Sequence, residues 1–459
     1  MSKIASSLIG IVLPFTIASC VQQPGALSPN AKASLDIPAR YDATQPPVPE
    51  ISENLVSLFP SPQLKNYISK AVKNNPDLRS SAARLEEAGY NTRRSQAGLS
   101  PTLNANLGAG TNTSNPSGFS SVSSESYTAS LDARWEVDVW GRIRAGVSAS
   151  TSDQAAAAAD YASARQSIVA QTAQAYFDLL RTSSLLELSE RRLVSFKKTL
   201  DLVNRRFEAG TADLGSLDLA RTDIENTRSQ VALRKDDRDK AARRLATLTG
   251  AYPNNSSKAT KWPTLSRSVQ ANIPSTLMLK RPDIDAAYQR IRAADSRVTV
   301  AHRDLYPDFT LTASYGQQSN ILKNLADSNF NAWSLLASLS APLIDGGARR
   351  AELGASNARA KRALADYQSI VLNAFREVEN ALGSENYLRQ QYSATGKALT
   401  AAQSAESRGL RSYDNGLINI LDLLAVQRRT FATEESLINI RALRYQNRVS
   451  LALALGKAL

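Results

Sequence analysis

The chain runs to 459 residues, with 55 Lys and Arg against 42 Asp and Glu, a formal net charge of +13, a single Cys and a single His. One Cys excludes an internal disulfide framework and a thiolate metal cluster built by one chain, and a mean hydropathy of −0.29 suits a body bathed in water. The positive charge would suit nucleic acid. Lys and Arg are, however, spread along helical stretches among Asp and Glu, as in Arg221-Thr222-Asp223-Ile224-Glu225, with no basic stripe carrying stacking aromatics. Spread charge of this kind reads as a solvated face, and no nucleic-acid partner is expected.

The first element, residues 1–19, is a targeting segment. Lys3 precedes the apolar stretch Ile4 to Ile17, broken by Pro14, which is too short and too poorly flanked for a stable membrane span and reads as an export signal. It ends in Ile17-Ala18-Ser19-Cys20, and the small residues before the cysteine resemble the lipobox of bacterial lipoproteins. That resemblance implies lipidation at Cys20, and Val21 in place of an aspartate implies sorting to the outer membrane. An ordinary cleaved signal that happens to end near a cysteine is the alternative. Residues 20–60 are rich in Pro, Gln, Ser and Asn, include Gln45-Pro46-Pro47-Val48-Pro49, and read as a tether or a strap laid over the body.

Beyond the tether the chain matches itself at a constant offset of 206 residues. Asn75-Pro76-Asp77-Leu78-Arg79 falls on Arg281-Pro282-Asp283-Ile284-Asp285, Pro101 on Pro307, Tyr127 on Trp333, Gly141 on Gly347 and Asp160-Tyr161 on Asp366-Tyr367. An ungapped offset that preserves Pro, Gly and aromatic punctuation marks a duplicated structural unit. The copies are taken as residues 61–250 and 251–459, two similar halves of one pseudo-symmetric body.

Each copy reads alike. A short helix from Pro62 to Asn74 leads in; then Asp77 to about Leu99 is helical with Ala82, Leu85 and Ala88 on one face, and Asp283 to Leu305 is the counterpart. Pro101 and Pro307 stop these helices, since proline cannot continue the hydrogen-bond ladder. The period then drops from 3.6 to 2. Leu103, Ala105, Leu107 and Ala109 alternate with Thr102, Asn104, Asn106 and Gly108, and after a Ser-rich loop Tyr127, Ala129, Leu131, Ala133 and Trp135 alternate again. Copy two repeats this with Phe309, Leu311, Ala313 and Tyr315, then Trp333, Leu335, Ala337 and Leu339. Amphipathic runs of about ten residues with aromatics near their ends fit transmembrane β-strands, apolar toward lipid and polar toward a lumen. A soluble hairpin with one face on a core gives the same alternation, but four such runs in an exported lipoprotein favour the membrane.

The second strands end at Trp140-Gly141-Arg142 and Asp345-Gly346-Gly347, and each leads into a helix with hardly a stop signal, from about Ala145 to Phe207 and from about Arg350 to Tyr413. Some sixty helical residues span roughly 90 Å. Leu179, Leu186, Leu193, Leu200 and Phe207 are spaced by seven, as are Leu217, Ile224 and Val231 (with Leu245 two heptads on) and Leu424, Phe431, Ile438 and Tyr445, which predicts coiled-coil winding. Gly210 and Gly416 fit the turns between paired helices, where a positive φ favours glycine. Four strands cannot close a barrel, and an open sheet edge in lipid leaves backbone groups unpaired. Neighbouring chains are therefore expected to close the ring: two would give eight strands filled by their own side chains, three would give twelve and a lumen.

The chain resembles the TolC-like outer-membrane efflux factors, specifically the NodT-type lipoprotein subgroup serving resistance-nodulation-division pumps. The residues that carry the likeness are Ile17-Ala18-Ser19-Cys20, Trp135-Glu136-Val137-Asp138-Val139-Trp140-Gly141-Arg142, Leu279-Lys280-Arg281-Pro282-Asp283-Ile284 and Leu339-Ser340-Ala341-Pro342-Leu343-Ile344-Asp345-Gly346-Gly347. They continue with Glu377-Val378-Glu379-Asn380-Ala381-Leu382 and the turn Arg411-Ser412-Tyr413-Asp414-Asn415-Gly416, leading to Leu421 and Gln427-Arg428. The resemblance implies a membrane α+β protein: a homotrimer whose twelve-stranded barrel, four strands per chain, is continued by an α-helical coiled-coil barrel. It also implies a lipid anchor in the outer membrane, a periplasmic adaptor and an inner-membrane antiporter as partners, and export of drugs or other small toxic compounds. Charged residues just past the second hairpin glycine close the periplasmic mouth in that family. Arg428 matches the family arginine, but the aspartate expected three residues earlier is Ala425, so Asp422 and the first-copy Asp218 are substitutes, with ordinary solvated helix charges as the other reading.

No catalytic or cofactor motif competes. His302 lies on the helix before Pro307 and reads as a surface or packing residue, Asp236-Asp237-Arg238-Asp239 as helix surface, and Gly346-Gly347 as a turn without the Lys-Ser/Thr of a phosphate loop. Two alternatives stay open: a type I (ABC) secretion channel of the same fold, and a structural periplasmic coiled-coil lipoprotein without membrane strands.

Overall fold

The computed structural model describes residues 25–31, 41, 58–115, 121–265, 281–327 and 331–456; Cys20, most of the 20–60 tether, and Leu279-Lys280 lie outside them. Copy one consists of helix α1 (Pro62–Asn74), helix α2 (Pro76–Ala97), strands β1 (Thr102–Ser114) and β2 (Val122–Val137), and helices α3 (Arg142–Glu208) and α4 (Leu214–Leu248). Copy two holds α5 (Pro282–Arg303), β3 (Asp308–Ser319), β4 (Asn331–Ser340), α6 (Ala348–Asp414) and α7 (Ile420–Ala454). The bounds of α2, α3 and α4 reappear in α5, α6 and α7 at the offset read from the sequence, residue for residue.

Local chemistry sets these bounds. Asn75 caps α2, its Oδ1 accepting from the N–H groups of Asp77 (2.9 Å) and Leu78 (3.1 Å), with Pro76 at the first helical position, where its missing N–H costs nothing. Gly141 and Gly347 precede α3 and α6 at φ 79° and 87°, and Gly210 and Gly416 follow them at φ 73° and 76°. Such left-handed conformations strain any residue that carries a Cβ.

The four strands form one antiparallel sheet in the order β1-β2-β3-β4. Thr102 faces Arg134 in copy one and Asp308 faces Ser340 at the equivalent place in copy two, while Val137 faces Phe309 across the join. β1 and β4 are left as the sheet's edges. Below it the helices stand side by side: α3 contacts α2 and α4 on one flank and α5 and α7 on the other, and α6 packs on α5 and α7. At 67 residues each, α3 and α6 run about 100 Å. No helix among the described residues is long and apolar enough to cross a membrane.

Three main cores, with a small fourth of Ala294, Val298 and Ala360 between α5 and α6, hold the helices together. Phe59, Phe177, Tyr445 and Trp262 cluster where α1 and the 251–265 segment lie on α3 and α7, their rings edge-on or tilted with centroids 4.8 Å (Phe59–Phe177), 4.9 Å (Phe177–Tyr445) and 5.0 Å (Trp262–Tyr445) apart. Ala31 and Tyr41 of the tether are buried with Ile284, Tyr367 and Val371. Phe196, Val203, Leu217, Ile224, Leu423 and Leu424 form the third core, near the helical tips.

Two sequence expectations shift. Ala82 is exposed, and α2 buries Leu78 and Thr92 instead. The stripe Leu179 to Phe207 starts buried and ends with Phe207 41% exposed, the core positions being Leu185, Leu188, Phe196 and Val203. A straight α-helix drifts about 20° per heptad, so over four heptads the stripe rotates off the seam.

Candidate functional site

The sheet sorts its residues as the alternation requires. Leu107 and Trp333 are 86% and 77% exposed in the single chain, and Leu103, Leu335 and Leu339 share their face. Large apolar groups so placed belong against lipid. On the other face Asp132 accepts from Asn106 Nδ2 (2.5 Å) and Ser130 Oγ (2.8 Å), a polar cluster suited to a water-filled lumen. Leu336, also exposed, stands on this polar face as an exception. At the foot of the sheet Trp140 donates Nε1–H to the Pro307 carbonyl (2.7 Å) and stacks on Tyr306 at 5.2 Å, an aromatic pair at the strand–helix junction. His302 is buried and meets Tyr306 edge-on at 5.7 Å, so it packs.

At the opposite end the helix pairs turn at Gly210 and Gly416. Asp213 caps α4 by accepting from the Ser216 N–H (2.6 Å), which holds its carboxyl below the usual carboxylate range, and Asn419 caps α7 by accepting from the Asp422 N–H (2.9 Å). The two tips are joined: Arg206 donates to the Tyr413 carbonyl and lies over the Tyr413 ring, 4.7 Å from its centroid.

Three sequence candidates fall in this region, but they do not pair with one another. Arg428 turns to Asp223, contacting its two carboxylate oxygens at 2.8, 3.0 and 3.2 Å. Asp422 is exposed at the first turn of α7, and Asp218 is exposed on α4 with Arg221 3.5 Å away. Asp223 corrects the reading of residues 221–225 as a solvated face, because Arg221 and Glu225 are exposed while Asp223 is buried. Asp223 precedes the core residue Ile224 and lies against α7, where a carboxylate needs a cation.

A second cation stands behind the pair. Arg192 of α3 lies over Phe196 and Phe431 at 5.2 and 5.8 Å; burial lowers its pKa, while Asp223 and Glu435 beside it favour the charge. Next to Arg428, Gln427 is fully buried and donates to Thr199 Oγ1 (3.0 Å) and Ser195 Oγ (3.3 Å). Arg191–Glu434 and Arg234–Glu435, each 2.5 Å, complete a ladder clamping α7 to α3 and α4. Together these pairs hold the two helix pairs in one alignment. Among the described residues no cluster of His, Cys, Asp and Glu could hold a metal ion.

A membrane-facing sheet on helices of this length, built twice, defines a channel of the outer-membrane efflux class. The outer membrane efflux protein model matches residues 67–251 and again 273–457, and the chain belongs to that family. It is 26% identical to the cation efflux system protein CusC of Escherichia coli K12 over 97% of this chain and 98% of that one. It is also 28% identical to the toluene efflux pump outer membrane protein TtgF of Pseudomonas putida, over 87% and 84%. The solved outer-membrane channel OprN superposes with a TM-score of 0.85 at 26% identity, covering 92% and 98% of the two chains. Like these relatives, the chain is an outer-membrane efflux channel with a long periplasmic helical extension.

Proposed function

We propose that three copies of this chain close a twelve-stranded barrel in the outer membrane. The assembly serves as the passive exit duct of a tripartite efflux system driven by an inner-membrane resistance-nodulation-division antiporter through a periplasmic adaptor. The observation that carries this is the sheet: four strands whose two edges are unpaired, and whose apolar face is bare, among the described residues, standing on helices about 100 Å long. Twelve strands enclose a lumen where eight would be plugged by side chains.

Cys20 carries the lipid that anchors the tether, and an unchanged acyl label on the Cys20→Ser protein would refute it. The periplasmic mouth is held by Arg428 on Asp223, with the exposed Asp218 and Asp422 facing neighbouring chains near the axis. Cargo is chosen upstream: relatives named for cations and for toluene share this architecture, and a water-filled tube selects little. Small toxic compounds are the expected class.

A deletion strain tests the whole reading. Loss of the chain should raise accumulation of a fluorescent dye or drug, re-expression should lower it, and the difference should vanish once the proton gradient is collapsed. Equal accumulation with and without the chain in energised cells would refute the efflux role.

A further inference from the structure

We infer that the surface joining one chain to the next is a transposed copy of the seam inside each chain, and that Arg84 of one chain pairs there with Asp366 of its neighbour. The inference rests on the trimer proposed above and assigns that trimer's contacts.

Within the chain the seam lies between α3 and α5, continues between α3 and α7, and runs between β2 and β3. Arg290 pairs across it with Asp160, Arg297 with Asp153, and the Ser148 and Ser296 hydroxyls meet at 3.1 Å. The outer edges of the chain are α2, α4 and β1 on one side and α6 with β4 on the other. By the duplication, α2 and β1 are the first-copy forms of α5 and β3, and α6 and β4 are the second-copy forms of α3 and β2. Each free edge is thus one half of the seam, waiting for the other half. In a ring of six repeats the two kinds of junction occupy equivalent places.

The side chains support the transposition. Arg290–Asp160 becomes Arg84–Asp366, with the same charge on each side; both residues are exposed, and neither has an ion-pair partner within the chain among the described residues. Ser296–Ser148 becomes Tyr90–Gly354: the Tyr90 ring is 58% exposed, and a Cβ added to Gly354 would meet nothing within 4 Å, leaving a flat surface for a ring. The contact of Arg181 with Asn439 becomes Tyr387 with Leu233, two apolar side chains 65% and 49% exposed in the isolated chain. Several pairs do not carry over: Arg142–Asp308 becomes Ala348–Thr102, the Arg303 bond to the Gly141 carbonyl falls on Ala97, and Arg191–Glu434 becomes Lys397–Arg228, two like charges. Arg297–Asp153 becomes Asn91–Arg359, and Arg359 is held within its own chain by Glu352 and Ser356.

The strands transpose in the same way. β2 and β3 pair Ala133 with Ala313 and Tyr127 with Ser319, so β4 should pair Leu339 with the neighbour's Leu107 and Trp333 with the neighbour's Thr113. This register keeps the apolar residues of both edges on the lipid side, whereas a slip of one residue would turn them into the lumen.

Paired cysteines in the full-length protein test the register. Ala109→Cys with Ala337→Cys is in register; Ala109→Cys with Leu335→Cys, or with Leu339→Cys, is displaced by two residues. Mild oxidation in isolated membranes should shift most of the in-register variant to a trimer-sized band on a non-reducing denaturing gel. Native mass spectrometry of the unoxidised wild type reports the oligomer independently. Preferential linking of a displaced pair in an intact trimer overturns the register and leaves the trimer standing; a wild type that is not a trimer overturns both. For the helices, Arg84→Asp and Asp366→Arg should each lower the temperature at which the trimer dissociates, and the two together should restore it. A combined variant no better than the single ones overturns the Arg84–Asp366 contact.

Discussion

Arg428 of α7 holds both carboxylate oxygens of Asp223 of α4, so the helical tips of two repeats, 205 residues apart in sequence, are tied by one bidentate ion pair. Asp223 is buried and Arg428 half exposed, so the two ends of the pair are not equivalent.

Removing the arginine should hurt more than removing the acid. Arg428→Ala strands a buried carboxylate and should cost about 1–3 kcal/mol, whereas Asp223→Ala leaves a cation that can reach water and should cost less. The double variant should cost less than the sum, as measured by thermal melting. Strictly additive costs would mean that the pair does not couple the tips.

Charge on the lipid face of the sheet should be resisted and charge on the lumen face accepted. Leu131→Arg and Leu311→Arg face lipid and should each cost roughly 2–4 kcal/mol, seen as loss of heat-resistant oligomer. Thr310→Arg should be tolerated. Asp132→Arg should also assemble, with a small loss because Asn106 and Ser130 give up their acceptor. Equal behaviour of the two faces would contradict the assignment of inside and outside.

The Asp295 side chain helps to fasten the start of the tether. The Asp295 carboxylate accepts from the backbone N–H groups of Leu27 (3.0 Å) and Ser28 (2.8 Å), and the first-copy equivalent of Asp295 is Gly89, which offers no acceptor. Asp295→Ala should remove about 1–3 kcal/mol of local stability and make the segment around residues 25–31 more sensitive to protease, with the channel body still folded. Unchanged cleavage would place the fastening elsewhere, on buried Ala31 and Tyr41.

Mild acid should tighten the packing of α6 on α7. Burial, with Glu434 nearby, raises the pKa of Glu406, although a hydrogen bond with Thr430 opposes the shift. A carboxyl whose folded pKa is raised binds its proton more firmly in the folded state. Its stabilising effect is full below the unfolded value and is lost as pH rises through the folded one. Glu406→Gln should therefore raise the melting temperature near neutral pH and reduce its rise on mild acidification. An unaltered pH profile would show that Glu406 does not contribute.

The duplication was legible because prolines and glycines mark matching boundaries in the two copies: Pro101 and Pro307 end one pair of helices, and Gly210 and Gly416 turn another. The strands were legible because period 2 survives in Leu103 to Ala109 and in Trp333 to Leu339. Asp223 was not. Flanked by the exposed Arg221 and Glu225, it has the local pattern of a solvated helix, and only the arrival of α7 makes it a buried anion. The seven-residue spacing of Leu179 to Phe207 pointed to long packed helices but not to their exact seam: Leu179 is buried, Leu193 and Leu200 pack against the third core and Phe207 is exposed, because spacing alone does not fix which neighbour a long straight helix faces at each level.

Single-channel recording of the purified protein in planar lipid bilayers tests the central claim most directly. Wild type should give discrete ohmic steps, and Asp422→Ala combined with Arg428→Ala should give larger steps because the mouth is loosened. Cells carrying that variant should also admit large antibiotics. An intact, correctly assembled oligomer that conducts nothing, even with both residues replaced, would contradict a continuous duct across the outer membrane.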